Sequence, residues 1–331
     1  MKNVLNYFYN IYTENIRLNG DNYYFDYNNE NYILYLYNGD YRELERIYDI
    51  YMQILKRGMY SHQIVLNKDN QISTMYNQKN YVLLKVKGNL SSKMTINDIL
   101  YFGNITAGYK DEINWKVLWS NKIDYFEYQI SHFGRKYPLI RKSFSYYAGI
   151  VENGIILLNE KKNVMNSISH KRILCNETLL DFYNPLNYIV DIKVRDAAEY
   201  FKNKLLSDKN VIEDIKKYLV ISKLNEDEVF YFFVRMFYPS FYFDCYEDVI
   251  NGKVDEYKIK EVIEITPYYE NLLKELYQYL KRYIQIPEIE WLNRIWLQIN
   301  NTFNFWYFFH YSTLYAWRYG IININAIGTS T

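Results

Sequence analysis

The stretch Ser169–Glu177 holds the residues whose types and spacing best suit chemistry. A phosphoryl-transfer loop has a His, an Asp two residues on that orients the acceptor hydroxyl, and an Asn five further on that binds a metal ion. A second metal-binding Asp follows at the end of the next strand. His170 and Asp191 occupy the first and last of these places. The two middle places hold Arg172 and Glu177 instead of Asp and Asn.

The Arg at the base position limits the chemistry that remains. The guanidinium of Arg172 stays protonated at physiological pH, so it binds negative charge and accepts no proton. Loss of a positioned base costs about a hundred- to ten-thousand-fold in rate. Lys171 and Arg172 could instead contact a nucleotide or another anion. We therefore expect no intact catalytic residue and no metal, with Asp191 and Glu177 as the magnesium ligands if the site is active.

The segment before residue 90 lacks two further parts of a nucleotide site. The predicted strand Tyr32–Tyr37 has no Lys to hold phosphates, and the turn Asn19–Asn22 is an ordinary hairpin turn, not a Gly-rich loop. Glu43 and Glu45 follow that strand, where acidic residues in a first helical turn are expected to serve the helix dipole.

Strands around one helix are predicted for these first 90 residues. Apolar and polar residues alternate over Asn31–Tyr37, Gln63–Leu66 and Tyr81–Val86, which indicates strands. Between them, Asp40 is a good helix N-cap, and Gly58 suits the end of that helix. The order predicted is a strand hairpin, a helix and two more strands.

From about residue 95 the apolar residues recur every three or four positions, which is the period of a helix. The clearest helix starts near Asp111 and has an apolar stripe from Trp115 to Phe133. One short strand, Tyr188–Ile192, is predicted to interrupt the helices, and Tyr238–Tyr242 predicts a helix stop followed by an aromatic turn. Further helices are predicted over 141–158, 194–206, 211–219, 226–237 and 268–283.

Together these elements predict an α+β fold of two lobes that meet at a cleft. We expect a strand-rich N-lobe over 1–90, a helical C-lobe over 91–292 and an aromatic tail over 293–331. The tail is expected to be helical and packed on the C-lobe, because an exposed apolar patch of that size promotes aggregation. Contact with a partner or a membrane surface is the alternative.

Composition excludes several classes of function. Lys plus Arg number 39 against 38 Asp plus Glu, so no strong overall field draws the chain to nucleic acid. Only Cys175 and Cys245 are present, which predicts a reducing, cytoplasmic location without disulfides. We expect no signal peptide and no membrane span. The 40 Tyr residues fit either an AT-rich genome or a Tyr-rich surface for assembly.

A series of residues in the helical part also carries a family resemblance. They are Trp119 with Ile123-Asp124, Tyr146-Tyr147-x-Gly149-x-x-Glu152-Asn153, Ser169-His170-x-Arg172, Asp191-x-x-x-Arg195-Asp196-x-Ala198-Glu199-Tyr200, Arg235-x-x-Tyr238-Pro239-x-x-Tyr242-x-Asp244 and Ile286-Pro287-x-x-x-Trp291-Leu292. In this order they resemble the spore-coat-associated kinase-like proteins of the CotS and YutH type, which are distantly similar to aminoglycoside and choline kinases.

The resemblance implies a two-lobed protein-kinase-like fold, similar to that of aminoglycoside phosphotransferases, and a role in the spore coat or sporulation, without a defined reaction. The YutH-like branch shares the Arg where active relatives carry Asp, which implies an inherited loss of catalysis. We therefore expect a pseudokinase that serves as a structural or interaction component, with spore coat proteins as partners and no cofactor. The alternative is an active kinase of a small hydroxylated molecule, which would need ATP and magnesium.

Overall fold

The computed structural model describes residues 1–87, 91–108, 114–158 and 164–293. Its internal contacts group the chain into two units, which are Met1–Asp111 with Met165–Asp196, and Glu112–Val164 with Ala197–Thr331. The lobe boundaries at residues 90 and 292 stay predictions. The predicted tail from residue 294 onward lies outside the described residues. None of the helices in the described ranges is long and apolar enough to cross a membrane.

The first unit is built on an antiparallel sheet of six strands, which confirms the strand-rich start of the α+β fold. Five strands follow the order β1-β2-β3-β6-β4, and β5 pairs with β6. The hairpin turn between β1 and β2 contains Gly20 at a φ of 60°, which favours glycine. The elements are α1 Lys2–Tyr9, β1 Arg17–Asn19, β2 Asn22–Tyr27, β3 Glu30–Tyr37, α2 Tyr41–Lys56, β4 Gln63–Val65, β5 Thr74–Tyr76, β6 Lys79–Val86 and α3 Ile96–Ile105.

Both faces of this sheet are buried. Alternate residues of a strand point to opposite faces, so Val82 and Leu84 of β6 pack on the α2 side with Tyr37 and Leu44. Leu83, from the same strand, packs on the other side, where α1 contributes to a second cluster. The long strands β3 and β6 therefore read as apolar on both faces, and they fix the position of α2.

The predicted start and end of α2 are confirmed. Asp40 is the N-cap, and its Oδ1 accepts from the backbone N of Glu43 at 2.7 Å. Gly58 follows the helix at a φ of 71°, and its amide donates to the carbonyl oxygen of Leu55. Capping at both ends places the first turn of α2 directly after β3.

A two-stranded antiparallel sheet in the same unit carries the predicted catalytic stretch. Its strands are β7 Asn166–His170 and β8 Tyr188–Ile192. The prediction of a single strand here was wrong, because β7 has too few large apolar residues to stand out, yet Ser167 and Ser169 are buried in it. Between the strands lie α6 Leu179–Phe182 and a short 3-10 helix, Pro185–Asn187.

The second unit is helical, as predicted. Pro239 ends one helix and caps the next, so the segment after it is helical, and the predicted aromatic turn there was wrong. The last long helix begins ten residues before its predicted start and passes through Pro267. The helices are α4 Trp115–Phe133, α5 Pro138–Leu157, α8 Ile212–Ile221, α9 Glu226–Arg235, α10 Ser240–Ile250, α11 Lys258–Leu280 and α12 Glu290–Asn293, and α7 Arg195–Lys204 joins the two units in sequence.

Candidate functional site

The β7–β8 hairpin brings the predicted site residues together. His170 ends β7, and Asp191 lies opposite Ser167 on β8. The connection between the strands contains Arg172 and Glu177. Leu186 in the 3-10 helix packs against the core cluster under α2, so this connection is attached to the N-terminal sheet. The predicted catalytic stretch thus forms one site within the first unit.

His170 is a fully enclosed structural residue. Its side chain is 0% exposed, and Nδ1 lies 2.6 Å from Oδ2 of Asp196. Its Nε2 lies 2.8 Å from the carbonyl oxygen of Phe182, and its backbone N donates to Asp196 Oδ1 at 3.0 Å. Because both ring nitrogens face acceptors, His170 ties β7 to α6 and to the start of α7.

Asp191 is buried in an ion pair with an arginine four residues later in the sequence. Arg195 Nη1 donates to Asp191 Oδ2 at 2.6 Å, where the two side chains are 12% and 0% exposed. The backbone N of Ile192 donates to Asp191 Oδ1 at 2.6 Å. Arg195 Nη2 also donates to the carbonyl oxygen of Lys171 at 3.1 Å. A guanidinium therefore neutralises the carboxylate that stands at the second metal-binding position.

Arg172, at the base position, is exposed, and its backbone is fixed by Asn187. Asn187 Oδ1 accepts from the amide of Arg172 at 3.1 Å, and Asn187 Nδ2 donates to its carbonyl oxygen at 2.7 Å. The side chain starts from a rigid backbone position, where it offers positive charge and no proton acceptor.

Lys171 pairs with the helix that follows β3. Its Nζ donates to Glu43 Oε1 at 2.5 Å, and Tyr37 Oη donates to Glu43 Oε2 at 3.0 Å. The hydrogen bond from Lys171 lowers the pKa of the Glu43 carboxyl. Glu43 therefore does more than support the helix dipole, which is the role that its position predicts. The carboxylate of Glu43 accepts hydrogen bonds from Tyr37 on β3 and from Lys171 in the loop.

Glu177, at the expected Asn position, is half-buried. Burial raises the pKa of its carboxyl, with smaller contributions from neighbouring groups that include Asp181. Its backbone amide donates to Leu174, and its carbonyl accepts from Met94. In the described ranges, no group of three or more His, Cys, Asp or Glu side chains is arranged to hold a metal ion. Of the two carboxylates expected to bind magnesium in an active site, Asp191 already has a cationic partner, Arg195.

Arg195 and Asp196 hold the site residues in place, and the sequence predicted this role for neither of them. Asp196 lies in the first turn of α7, and its carboxylate binds His170. The four-residue spacing of Asp191 and Arg195 is a signal for an ion pair when a helix follows. The bond from His170 to Asp196 spans 26 residues, and no local pattern predicts it.

Comparisons with known proteins agree on the fold. A family model described as spore coat putative kinase YutH matches residues 2–282. No curated protein matches the chain in sequence. An aminoglycoside phosphotransferase from Alicyclobacillus acidocaldarius is similar in structure, with a TM-score of 0.62 and 9% identity over 84% of this chain and 95% of that one.

Two further solved structures are similar over nearly their whole length. Spectinomycin phosphotransferase, in complex with ADP and spectinomycin, has a TM-score of 0.53 and 10% identity over 85% of this chain and 97% of its own. Amicoumacin kinase, in complex with AMP-PNP and calcium, has a TM-score of 0.50 and 11% identity over 83% and 94%. At these identities the likeness shows the fold, which is that of small-molecule kinases.

Proposed function

Since the chain belongs to the spore coat putative kinase YutH family, we propose that it is a catalytically degenerate kinase-fold protein of the spore coat or of sporulation. It acts as a structural or interaction component, and its partners are spore coat proteins. The proposal has two parts, absence of phosphoryl transfer and presence of a coat role, and different observations support them.

The ion pair between Asp191 and Arg195 is the observation that carries the first part. A magnesium site offers carboxylate oxygens to the ion, and the ion keeps near-ideal octahedral geometry. Here one oxygen of Asp191 accepts from Arg195 and the other from the backbone of Ile192. Magnesium would have to displace the guanidinium, and separating a buried ion pair costs several kcal/mol, of the order of 3 to 5.

Arg172 and Glu177 support the same part. Phosphoryl transfer relies on positioning and on charge stabilisation, so loss of the base alone leaves some activity. Here the base position is cationic, the metal-binding Asp is neutralised, and Glu177 stands where an Asn is expected. Three parts of the site are altered together, and this combination favours a non-catalytic role.

The contacts that replace catalysis also hold the loop in place. Arg195 joins β8 to the carbonyl oxygen of Lys171, while Asn187 fixes both backbone groups of Arg172. A loop held this way presents a fixed surface, which suits recognition of another protein. Membership of a spore coat family supplies the kind of partner.

A genetic experiment tests this function. We expect deletion of the gene in its spore-forming host to impair coat assembly, and reintroduction of either the wild type or an Arg172→Ala variant to restore it. Arg172→Ala removes the exposed cation and keeps the backbone bonds to Asn187. Intact, normally resistant spores after deletion would count against the coat role, and failure of Arg172→Ala alone would point to chemistry at that side chain.

Active phosphorylation of a small hydroxylated molecule is the second candidate. The ion pair between Lys171 and Glu43 favours it, because kinases pair a helix Glu with the lysine that contacts the phosphates. Under this candidate, ATP turnover with magnesium and a small hydroxylated acceptor falls strongly in Lys171→Met. Turnover that is absent in the wild type across a panel of acceptors removes this candidate.

A further inference from the structure

One face of α4 is apolar and exposed. Leu118, Tyr125 and Tyr128 are 48%, 50% and 62% exposed, and we call these three residues the α4 stripe. They are spaced by seven and three residues, so they lie along one side of the helix. Val117 and Phe133, at the two ends of the helix, add further exposed apolar surface.

The opposite face of α4 is already buried in the second unit. Trp119 and Ile123 are each 4% exposed, and Phe126 is 0% exposed. The ring of Phe126 stacks on Phe243 with centroids 5.0 Å apart. A helix that is apolar on two sides is typical of one that is covered on both. The α4 stripe therefore needs a second covering element.

The last described helix is linked to α4 through Phe237. Trp291, in α12, packs edge-to-face on Phe237 with centroids 6.3 Å apart. Phe237 and the ring of Trp119 in α4 both approach Gly154, since a Cβ placed there would lie 2.9 Å from each. The side chain of Trp291 is thus linked through Phe237 to the Trp119 side of α4, whereas Asn293, the last described residue, accepts from Gln278 of α11.

Those residues suit the α4 stripe in length and composition. Residues 294–331 number 38 (331 − 293) and lie beyond the end of the family match at residue 282. At about 1.5 Å per residue even as a helix, 38 residues reach about 57 Å, which is twice the length of α4. They include Phe303, the two pairs Phe305-Trp306 and Phe308-Phe309, and Trp317.

Charge favours the same arrangement. Residues 294–331 contain Arg294 and Arg318 and no Asp or Glu. Beside the α4 stripe, burial and the carboxylates of Asp124 and Glu152 raise the pKa of Glu127 to about 7. A guanidinium near these three carboxylates would relieve their repulsion.

We propose that residues 294–331 bind across α4 of the same chain and cover Leu118, Tyr125 and Tyr128. The exposed stripe supplies the surface, and residues 294–331 match it in length, in aromatic content and in positive charge. This inference is independent of whether the chain transfers phosphate.

Site-specific photo-cross-linking of the full chain tests the proposal. Benzoylphenylalanine replaces Tyr128, and in a matched control it replaces Tyr257, which is 67% exposed at the start of α11. After irradiation, we expect the Tyr128 variant to give a cross-link to residues 294–331 within a monomer, identified by peptide mass, and the Tyr257 variant to give none. A cross-link between two chains at Tyr128, or none to residues 294–331, overturns the proposal.

Limited proteolysis provides a second readout that does not depend on a probe. Chymotrypsin cleaves after aromatic residues, which are frequent in residues 294–331. The rate of cleavage in this segment therefore measures how accessible it is. We expect the double variant Tyr125→Ser/Tyr128→Ser to release C-terminal fragments about tenfold faster than wild type, because cleavage follows the population of the open form. Tyr257→Ser is expected to match wild type. Equal cleavage rates in all three proteins, with unchanged circular dichroism, contradict the proposal.

Discussion

Asp191 and Asp196 lie five residues apart, both nearly fully buried, and they differ in what holds them. Asp196 binds the ring and the backbone amide of His170. Asp191 binds Arg195 and the amide of Ile192. The carboxylate of Asp196 fixes the backbone of the loop. The carboxylate of Asp191 stands where a kinase would bind a metal ion, and its partner is the guanidinium of Arg195.

This difference separates residues that fix the backbone from residues at positions that would meet a nucleotide in an active kinase. The first group is the sheet, the capped α2 and the bond between His170 and Asp196. The second group is Arg172, Glu177 and Asp191, which the proposed function treats as altered. Packing constrains the first group in any protein with this fold, while only chemistry constrains the second.

The largest effect is expected from removing the cation beside Asp191. Arg195→Met leaves a buried carboxylate without its guanidinium partner, so we predict that the free energy of unfolding falls by about 3 kcal/mol. Urea unfolding monitored by circular dichroism measures it. The matched control Arg172→Met, at an exposed arginine of the same loop, is expected to change it by less than about 0.5 kcal/mol. Equal effects in the two variants would show that Asp191 does not depend on Arg195.

A somewhat smaller loss is expected at the other aspartate. His170→Gln shortens the link between Asp196 and the carbonyl of Phe182, and one of these buried acceptors loses its donor. We predict a destabilisation of about 2 kcal/mol, which is typical of an unsatisfied buried polar group. The midpoint of urea unfolding measures this loss. A midpoint equal to that of wild type would show that His170 does not stabilise the fold.

A pH effect is expected at the second buried histidine. Nε2 of His62 lies 2.7 Å from the carbonyl oxygen of Leu180, and Nδ1 lies 2.9 Å from Tyr60 Oη. Burial lowers the pKa of His62 below its ordinary value of 6.5. The folded state then resists protonation more than the unfolded state does, so stability is present above pH 6.5 and is lost as the pH falls towards the lowered pKa.

Comparison of urea unfolding at neutral pH and near pH 5.5 in wild type and His62→Gln measures this effect. Gln keeps a donor and an acceptor without titrating, so the variant is expected to lose less stability on acidification. The same loss in both proteins would assign the pH dependence to other groups.

The smallest effect is expected at the ion pair between Lys171 and Glu43. The side chains are 33% and 42% exposed, and ion pairs exposed to this degree contribute about 0 to 1 kcal/mol. Lys171→Met is therefore predicted to lower the free energy of unfolding by less than about 1 kcal/mol, measured by the same urea series. A loss as large as that of Arg195→Met would show that this ion pair stabilises the fold as strongly as the pair of Asp191 and Arg195.

Local patterns predicted the elements better than the contacts between them. Asp40 and Gly58 gave the limits of α2 because capping depends on residues within one turn. The sequence did not predict the first ten residues of α11, because Pro267 lies among them and a proline normally ends a helix. In the structure the hydroxyl of Tyr147 contacts the carbonyl of Val262 and the hydroxyl of Thr266, next to the proline.

The sequence predicted which residues would form the candidate site, and the structure places His170, Arg172 and Asp191 in one hairpin. Their order and spacing along the chain were the signal, because a phosphoryl-transfer loop lies close to the strand that follows it. The partners of these residues were not predicted. Glu43 is 128 residues from Lys171, and Asp196 is 26 residues from His170, so only the folded backbone brings each pair together.

Titration calorimetry of ATP, with and without magnesium, tests the central claim most directly. We predict that magnesium does not strengthen the binding of ATP to the wild type, because Arg195 holds the carboxylate of Asp191. Magnesium-dependent ATP binding by the wild type that is lost in a folded Asp191→Ala variant would contradict the claim and restore the kinase as the working function.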